Sequence, residues 1–475
     1  MKQSKPFLWA IAEKSSVQVT QFIIGILLAR LLSPDDFGLF AILTVFLSLS
    51  NAFVNSGFGQ ALIQKKEITY QEESGVFTFN MVVSFALCLL LVITAPWISN
   101  FYRKPELTEM IRLISIGVVF NALSLVPRTL VTKGMNFNIS FKVNSISILV
   151  SSLLALLLAY SGYGFWSLVF ASVLKELIAT LLFYQYIRWK PSINFKFTEI
   201  RDLYRYGSRL FVVSLTNSIF LNLYSIVIGK LYPARMLGLY SRGETMTKFP
   251  VTFFSSIIGQ FTFPLFSKYQ DNRIRLKEYF KGGIVLTSLV LYPVLTGIFI
   301  VAQDLILVLL SDKWLEALPY IKYLVFVGMF TPLSVINLNI INSRGRSDQF
   351  LKADLISKLL IVLGLAISYR YGVEQMALGY VFAMASSYVV YTYYTKLHLG
   401  ISVLDQLIFT SRGVSMSFIM GVVVWYLQNN YLLDLTPLIR LTLSTLIGIG
   451  FYALMLRVFS WKLFWTSFHL YSRES

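Results

Sequence analysis

Arg30-Leu31-Leu32-Ser33-Pro34-Asp35-Asp36-Phe37-Gly38-Leu39-Phe40 returns 200 positions later as Lys230-Leu231-Tyr232-Pro233-Ala234-Arg235-Met236-Leu237-Gly238-Leu239-Tyr240. The register then holds through a whole apolar segment, where Phe53, Ser56, Gly59 and Gln60 meet Phe253, Ser256, Gly259 and Gln260 without a gap. A second block repeats at a spacing of 210, with Lys142, Gly162, Leu168 and Tyr184 answering to Lys352, Gly372, Leu378 and Tyr394. Self-similarity on this scale means two homologous halves, and in a membrane chain it points to a transporter.

The surrounding composition puts the chain in a bilayer. Of its 475 residues 56% are hydrophobic and only 13% charged, with a mean hydropathy of +0.67, whereas soluble domains carry about 25% charged residues. Apolar runs follow one another from Phe7 to Ser460, and a span takes about 20 residues. They lack the period-two alternation of a barrel strand, so an all-α integral membrane bundle is expected, with about fourteen transmembrane helices centred from near Gln21 to near Leu446. Six helices per half bring the seventh in with the same sense as the first, giving parallel repeats. The expected organisation is an N-terminal six-helix lobe over 1–190, its repeat over 191–400, and two extra helices with a tail over 401–475. The first apolar segment is longer than a leader's apolar core and lacks a small-residue cleavage site, so it is expected to remain as a helix.

The net charge of +18 does not indicate nucleic-acid binding, because the basic residues sit in loops between apolar runs. Their bias places the N-terminus, the runs Arg188 to Arg209 and Lys268 to Lys281, and the C-terminal Arg457, Lys462 and Arg473 in the cytoplasm, Arg128 and Lys133 among them. Cys88 is alone, which excludes an internal disulfide, and His398 and His469 are too few and too distant for a metal pair. No GxxxxGK[ST] run supplies a nucleotide motor. Work must come from an ion gradient, the substrate's own gradient or a partner.

Charges inside spanning helices cost about 2.5–3.5 kcal/mol each on insertion scales and face a bundle interior or a water-filled cavity. Glu13 and Lys14 lie in the first helix, where Lys14, Gln18 and Gln21 make one polar stripe. Lys175 and Glu176 fall near the middle of the sixth. Adjacent residues point about 100° apart, so these two are not expected to face the same partner, and one of them needs a cavity or another helix. Arg205 and Arg209 enter the seventh on one face, the eighth carries Arg242, Glu244 and Lys248, and the eleventh begins with Asp354 and Lys358. Glu244 with Lys248 and Asp354 with Lys358 have the i,i+4 spacing of helix-surface ion pairs, so simple neutralisation stands beside a functional role.

Overlaying the halves separates scaffold from chemistry. Glu13 and Lys14 align with Val213 and Ser214; Arg242, Glu244 and Lys248 align with Ile42, Thr44 and Ser48; Lys175 and Glu176 align with Ala385 and Ser386; Asp354 and Lys358 align with Asn144 and Ile148. The glycines repeat and the embedded charges do not, which favours one site shared by the halves, with more cations than acids, as an anionic substrate requires. Gly38 and Gly238 are expected to serve close packing or a bend, Asp35-Asp36 to start a helix after Pro34, and Pro250, Pro264, Pro293 and Pro332 to kink helices.

With Ala29-Arg30-Leu31-Leu32-Ser33-Pro34-Asp35-Asp36-Phe37-Gly38-Leu39 followed by Ser56-Gly57-Phe58-Gly59-Gln60-Ala61-Leu62-Ile63, the chain resembles the bacterial polysaccharide transporter family over essentially its whole length. This is the Wzx-type branch of the multidrug, oligosaccharidyl-lipid and polysaccharide exporter superfamily. The resemblance implies flipping of undecaprenyl-diphosphate-linked oligosaccharide repeat units across the inner membrane for O-antigen, capsule or exopolysaccharide assembly, with no covalent chemistry. It implies a cationic cavity for diphosphate and sugar, for which Lys14, Lys175, Arg209, Arg242, Lys248 and Lys358 are the candidates, and a terminal helix pair that accommodates the lipid tail. Glu13, Glu176, Glu244 and Asp354 are the candidates for charge balance or for coupling to Na+ or H+; no metal and no other cofactor is expected. The implied partners are the lipid-linked oligosaccharide, membrane lipid and polysaccharide polymerase or assembly proteins, without nucleic acid. An ion-coupled drug or metabolite antiporter of the same fold is the alternative; that branch places a carboxylate in the first or seventh helix, where Glu13 fits the role by position and the seventh offers none. An O-antigen polymerase or ligase would need a longer external loop than Asn100 to Thr108 or Ser311 to Leu318 provides.

Overall fold

The computed structural model describes the backbone of residues 4–55, 57–192 and 197–472, and side chains from 13 onward except those of 14, 56, 193–200 and 472. Helices follow in the order α1 (Ser4–Leu31), α2 (Pro34–Asn55), α3 (Phe58–Gln64), α4 (Tyr70–Tyr102), α5 (Leu107–Lys133), α6 (Phe137–Tyr160), α7 (Trp166–Ile187), α8 (Phe197–Leu221), α9 (Leu223–Leu231), α10 (Ala234–Lys268), α11 (Arg273–Leu309), α12 (Leu318–Ser343), α13 (Ser347–Ser368), α14 (Val373–Leu399), α15 (Val403–Tyr431), α16 (Pro437–Met455) and α17 (Trp461–Ser472). A short 3₁₀ turn over Asp312–Ala317 precedes α12, and a π-helical turn over Leu456–Ser460 joins α16 to α17. There is no strand among the described residues. Each of the fourteen expected segments contains a helix or a consecutive helix pair. The basic run from Lys268 to Lys281 is mostly helical, since α11 begins at Arg273 under an Asn272 cap whose side chain accepts from the Arg275 amide.

Among the described residues ten helical segments are long and apolar enough to cross a membrane, eleven if the bent α8–α9 pair counts as one span. Neither α13, whose 22 residues include Asp348, Lys352, Asp354 and Lys358, nor α14, with Glu374, Lys396 and several tyrosines, meets that criterion. Both are held instead by packing, α13 along α14 and α14 along α12.

By packing, the chain divides into two compact units, Met1–Ser241 and Arg242–Ser475, so the division falls inside α10. In the first unit α5 packs between α4 and α7, with α6 against α7 and α1 against α6. The second unit repeats the order, with α12 between α11 and α14 and α13 against α14, while α15, α16 and α17 cover α11. A small-residue stripe brings α15 close: a Cβ added to Gly413 would lie 2.7 Å from the Ser288 backbone, and one on Gly421 would lie 2.8 Å from Thr296. Interhelical approach of this kind replaces the hydrophobic drive that lipid removes.

The duplicated motif has a physical reason in the first unit. A Cβ on Gly38 would stand 1.8 Å from the Ala234 carbonyl oxygen, and one on Gly238 would stand 1.8 Å from that of Pro34. The starts of α2 and α10 therefore cross backbone on backbone, and only glycine fits at either position. Asp36 does more than start α2. Its Oδ2 accepts from the Ser33 amide at 2.9 Å and hydroxyl at 2.6 Å, while Oδ1 accepts from the Phe165 amide at 2.9 Å, tying the α6–α7 turn to the crossing.

The sharpest break lies at no proline. α8 and α9 meet at 45° around Asn222, whose side-chain amide donates to the Ser218 carbonyl at 2.7 Å and to Ser48 Oγ at 3.0 Å. An amide inserted into the i−4 ladder is a recognised cause of a bend. Pro250, Pro264, Pro293 and Pro332 sit inside continuous helices.

Candidate functional site

In the first unit the embedded charges gather where α5 meets α7. Asn121, Ser124 and Arg128 occupy positions i, i+3 and i+7 of α5 and so share one face, while Glu176 projects from the middle of α7 toward it. Glu176 Oε2 accepts from Asn121 Nδ2 at 3.2 Å and lies 3.9 Å from Arg128 Nη2. Its other oxygen is 3.2 Å from Lys175 Nζ. The two neighbours on α7 also meet each other, the long lysine stem bending across the 100° between them. Glu176 reaches a second helix through Asn121. Thr180, one turn further, donates to the carbonyls of Phe120 and Glu176 and locks the α5–α7 contact beneath the cluster.

Glu13 is fixed elsewhere in the same unit. Asn144 Nδ2 of α6 donates to its Oε1 at 2.7 Å, which ties α1 to α6. The Lys14 side chain lies outside the described residues. Arg209 is exposed on α8.

The second unit holds two ion pairs of the expected i,i+4 spacing. Lys248 Nζ is 2.6 Å from Glu244 Oε1 on α10, and Lys358 Nζ is 2.6 Å from Asp354 Oδ2 on α13. Their environments differ, since Lys358 is buried whereas half of the Lys248 side chain remains accessible. On α14, Tyr380 lies within electrostatic reach of Glu244 and Lys248, and Tyr391 stands within reach of Asp354 and of Tyr380. Arg242 is partly buried two residues before Glu244, Lys248's partner. Positive groups thus outnumber carboxylates in both sets.

Residues 27–319 match the model of a family described as polysaccharide biosynthesis protein. This chain belongs to that family. Relatives of the polysaccharide biosynthesis family include the teichuronic acid biosynthesis protein TuaB of Bacillus subtilis, 26% identical over 66% of this chain; the match covers 65% of TuaB, less than two thirds of its length. The lipopolysaccharide biosynthesis protein WzxC of Escherichia coli is 23% identical over 74% of each chain. Among solved structures, the lipid II flippase MurJ in an inward closed conformation superposes with a TM-score of 0.77 at 15% identity, over 96% of this chain and 99% of that one. An inward-facing multidrug resistance MATE transporter of the MOP superfamily gives 0.66 at 15% identity, over 82% and 98%. The fold is therefore that of the MOP superfamily, and the resemblance to the polysaccharide transporter branch is borne out.

Within this family member, three groups of residues were not singled out from sequence. Arg128, assigned to topology alone, shares Glu176 with Lys175; its helical register with Asn121 was the available signal. Asp304 of α11 is buried and takes a fork from Arg440 of α16, with Nε 2.8 Å from each carboxylate oxygen, while Gln428 Nε2 of α15 donates at 2.6 Å. This closed pair clasps the terminal helices to α11. Finally, Asn337, Thr395, Gln406 and Tyr388 form a buried neutral network. Asn337 Nδ2 donates to Gln406 Oε1 at 3.1 Å, Gln406 Nε2 returns a bond to Asn337 Oδ1 at 2.9 Å, and Thr395 and Tyr388 hydroxyls donate to the two amide oxygens at 2.6 and 2.8 Å.

The same clasped helices enclose an apolar cavity of about 660 Å³ along α11, α15 and α16, lined among others by Pro293, Val301, Met420, Val424, Ile449 and Phe464.

Proposed function

We propose that this chain is a flippase for undecaprenyl-diphosphate-linked oligosaccharide repeat units, moving them by alternating access from the inner to the outer leaflet of the inner membrane, with both termini cytoplasmic, for O-antigen, capsule or exopolysaccharide assembly. The observation that carries the reading is the surplus of cations among the helix-embedded candidates: Lys175, Arg128, Arg209, Arg242, Lys248 and Lys358 stand against Glu13, Glu176, Glu244 and Asp354. A diphosphate supplies the missing negative charge, and arginine and lysine are the side chains that recognise it. The apolar cavity along α11, α15 and α16 suits a long prenyl tail. Membership of the polysaccharide biosynthesis family supports the same substrate class, and the polymerase that would use the flipped unit is the expected partner. Glu13, Glu176, Glu244 and Asp354 are the groups available to balance charge or to couple transport to Na+ or H+.

The test is replacement of Lys175 and Arg242 singly by alanine, with surface polysaccharide measured at equal protein levels. Loss of export is expected from each; full export from both overturns the assignment. The shared fold with a MATE transporter keeps an ion-coupled drug antiporter as the second reading, and dye resistance on expression together with unaltered surface polysaccharide in a deletion strain selects it.

A further inference from the structure

Two arginine–carboxylate pairs in this chain are built differently, and the difference assigns a role. Arg440 closes on Asp304 with Nε 2.8 Å from both oxygens, and the two side chains are 14% and 1% accessible. That is the geometry of a permanent, desolvated pair. Arg128 approaches Glu176 only to 3.9 Å, beyond hydrogen-bond length, with the two side chains 36% and 20% accessible. Among the described residues its guanidinium makes one hydrogen bond, from Nη2 to Ser124 Oγ at 3.3 Å, and its Nε–H is buried without a partner. The Phe183 ring, 5.6 Å from Cζ, flanks the guanidinium. Five donors in a rigid fork are therefore largely unused.

The carboxylate is just as open. Glu176 is shared by Arg128, Lys175 and Asn121, so two cations and an amide converge on one negative group and one positive charge stays uncompensated. The buried Oδ1 of Asn121 also lacks a partner. A carboxylate offers two oxygens and one charge; a phosphate offers more of both, in a shape that a guanidinium fork and a lysine ammonium can grip from different sides. Resting on the flippase reading above, we infer that Arg128 is a phosphate-binding residue, and that Glu176 is an internal stand-in that occupies the place of the substrate's phosphate between Arg128 and Lys175 until the substrate displaces it.

Competition fixes the signs of the test. Full-length protein in nanodiscs is titrated with inorganic pyrophosphate at constant pH and ionic strength, as wild type, Glu176→Gln, Arg128→Gln, Arg128→Lys and the Glu176→Gln/Arg128→Gln double variant, each checked for a wild-type thermal midpoint. Removing the competing charge tightens binding about tenfold in Glu176→Gln, which corresponds to about 1.4 kcal/mol. Arg128→Gln weakens it by a similar factor, Arg128→Lys recovers part of the loss, and the double variant loses the gain of the single one. A farnesyl diphosphate arm separates the sources: a lipid-linked diphosphate binds more tightly than pyrophosphate and responds to the same variants in the same order. Unchanged or weaker pyrophosphate binding in Glu176→Gln overturns the inference. Surface polysaccharide from the same variants keeps the two readings apart. Affinities that move as stated while export stays whole in every variant uphold the anion site and sink the flippase reading. Export lost in Arg128→Gln with unmoved affinities does the reverse.

Discussion

The α5–α7 and α12–α14 interfaces are related by the 210-residue repeat, yet they are held together by opposite chemistry. The first carries Arg128, Lys175 and Glu176, partly accessible and loosely paired. At the matching positions the second has Leu338, Ala385 and Ser386, and beside an exposed Tyr323–Glu374 hydrogen bond at one end its polar contact is the fully buried Asn337–Gln406–Thr395–Tyr388 network. That network reaches outward to clasp α15, one of the three helices without a counterpart in the repeat. Duplication thus supplied one packing scheme twice, and each copy diverged at the polar positions: one toward accessible, exchangeable charge, the other toward a closed neutral lattice that adds a helix.

The comparison is broken most easily where the buried polar groups are tightest. Arg440→Gln leaves Asp304 buried and without its main partner, so unfolding should be facilitated by about 3–5 kcal/mol, read as a lowered thermal midpoint in detergent; a wild-type midpoint removes the closed pair from the scaffold. Gln406→Leu strands Asn337 and Tyr388 and should cost about 1–3 kcal/mol by the same measurement. Arg128→Gln, although it too removes an arginine from a carboxylate, should change stability by less than about 1 kcal/mol because the pair is long and partly hydrated. If it destabilises as much as Arg440→Gln, the α5–α7 charges are structural and the contrast fails. Lys175→Ala should move stability least, within about 0.5 kcal/mol, while still abolishing export.

Much of the fold could be read before the structure because the repeat marks its elements twice. Gly38 and Gly238 recur since a backbone crossing tolerates nothing else, and the i,i+4 pairs at Glu244 and Asp354 were visible because both partners sit on one helix. The contacts that escaped notice join distant segments: 136 positions separate Asp304 from Arg440, and 55 separate Asn121 from Glu176. A single sequence carries no signal for such pairs beyond helical register. Arg128 was also masked by a competing explanation, since a cation near a helix end satisfies the topology rule equally well. Asn222 bends its helix without the proline that marks a break in sequence, through one amide placed on the Ser218 carbonyl.

The crossing of Gly38 over Ala234 also imposes an order on synthesis. Roughly half of the chain must leave the ribosome before the second helix meets the surface it was shaped for, and closing a loop of that length is slow compared with forming any neighbouring helix pair. Until then the start of α2 exposes a bare strip of backbone within a nascent bundle. A truncation between the two copies of the motif removes Ala234 and leaves the Gly38 strip without the backbone it packs against.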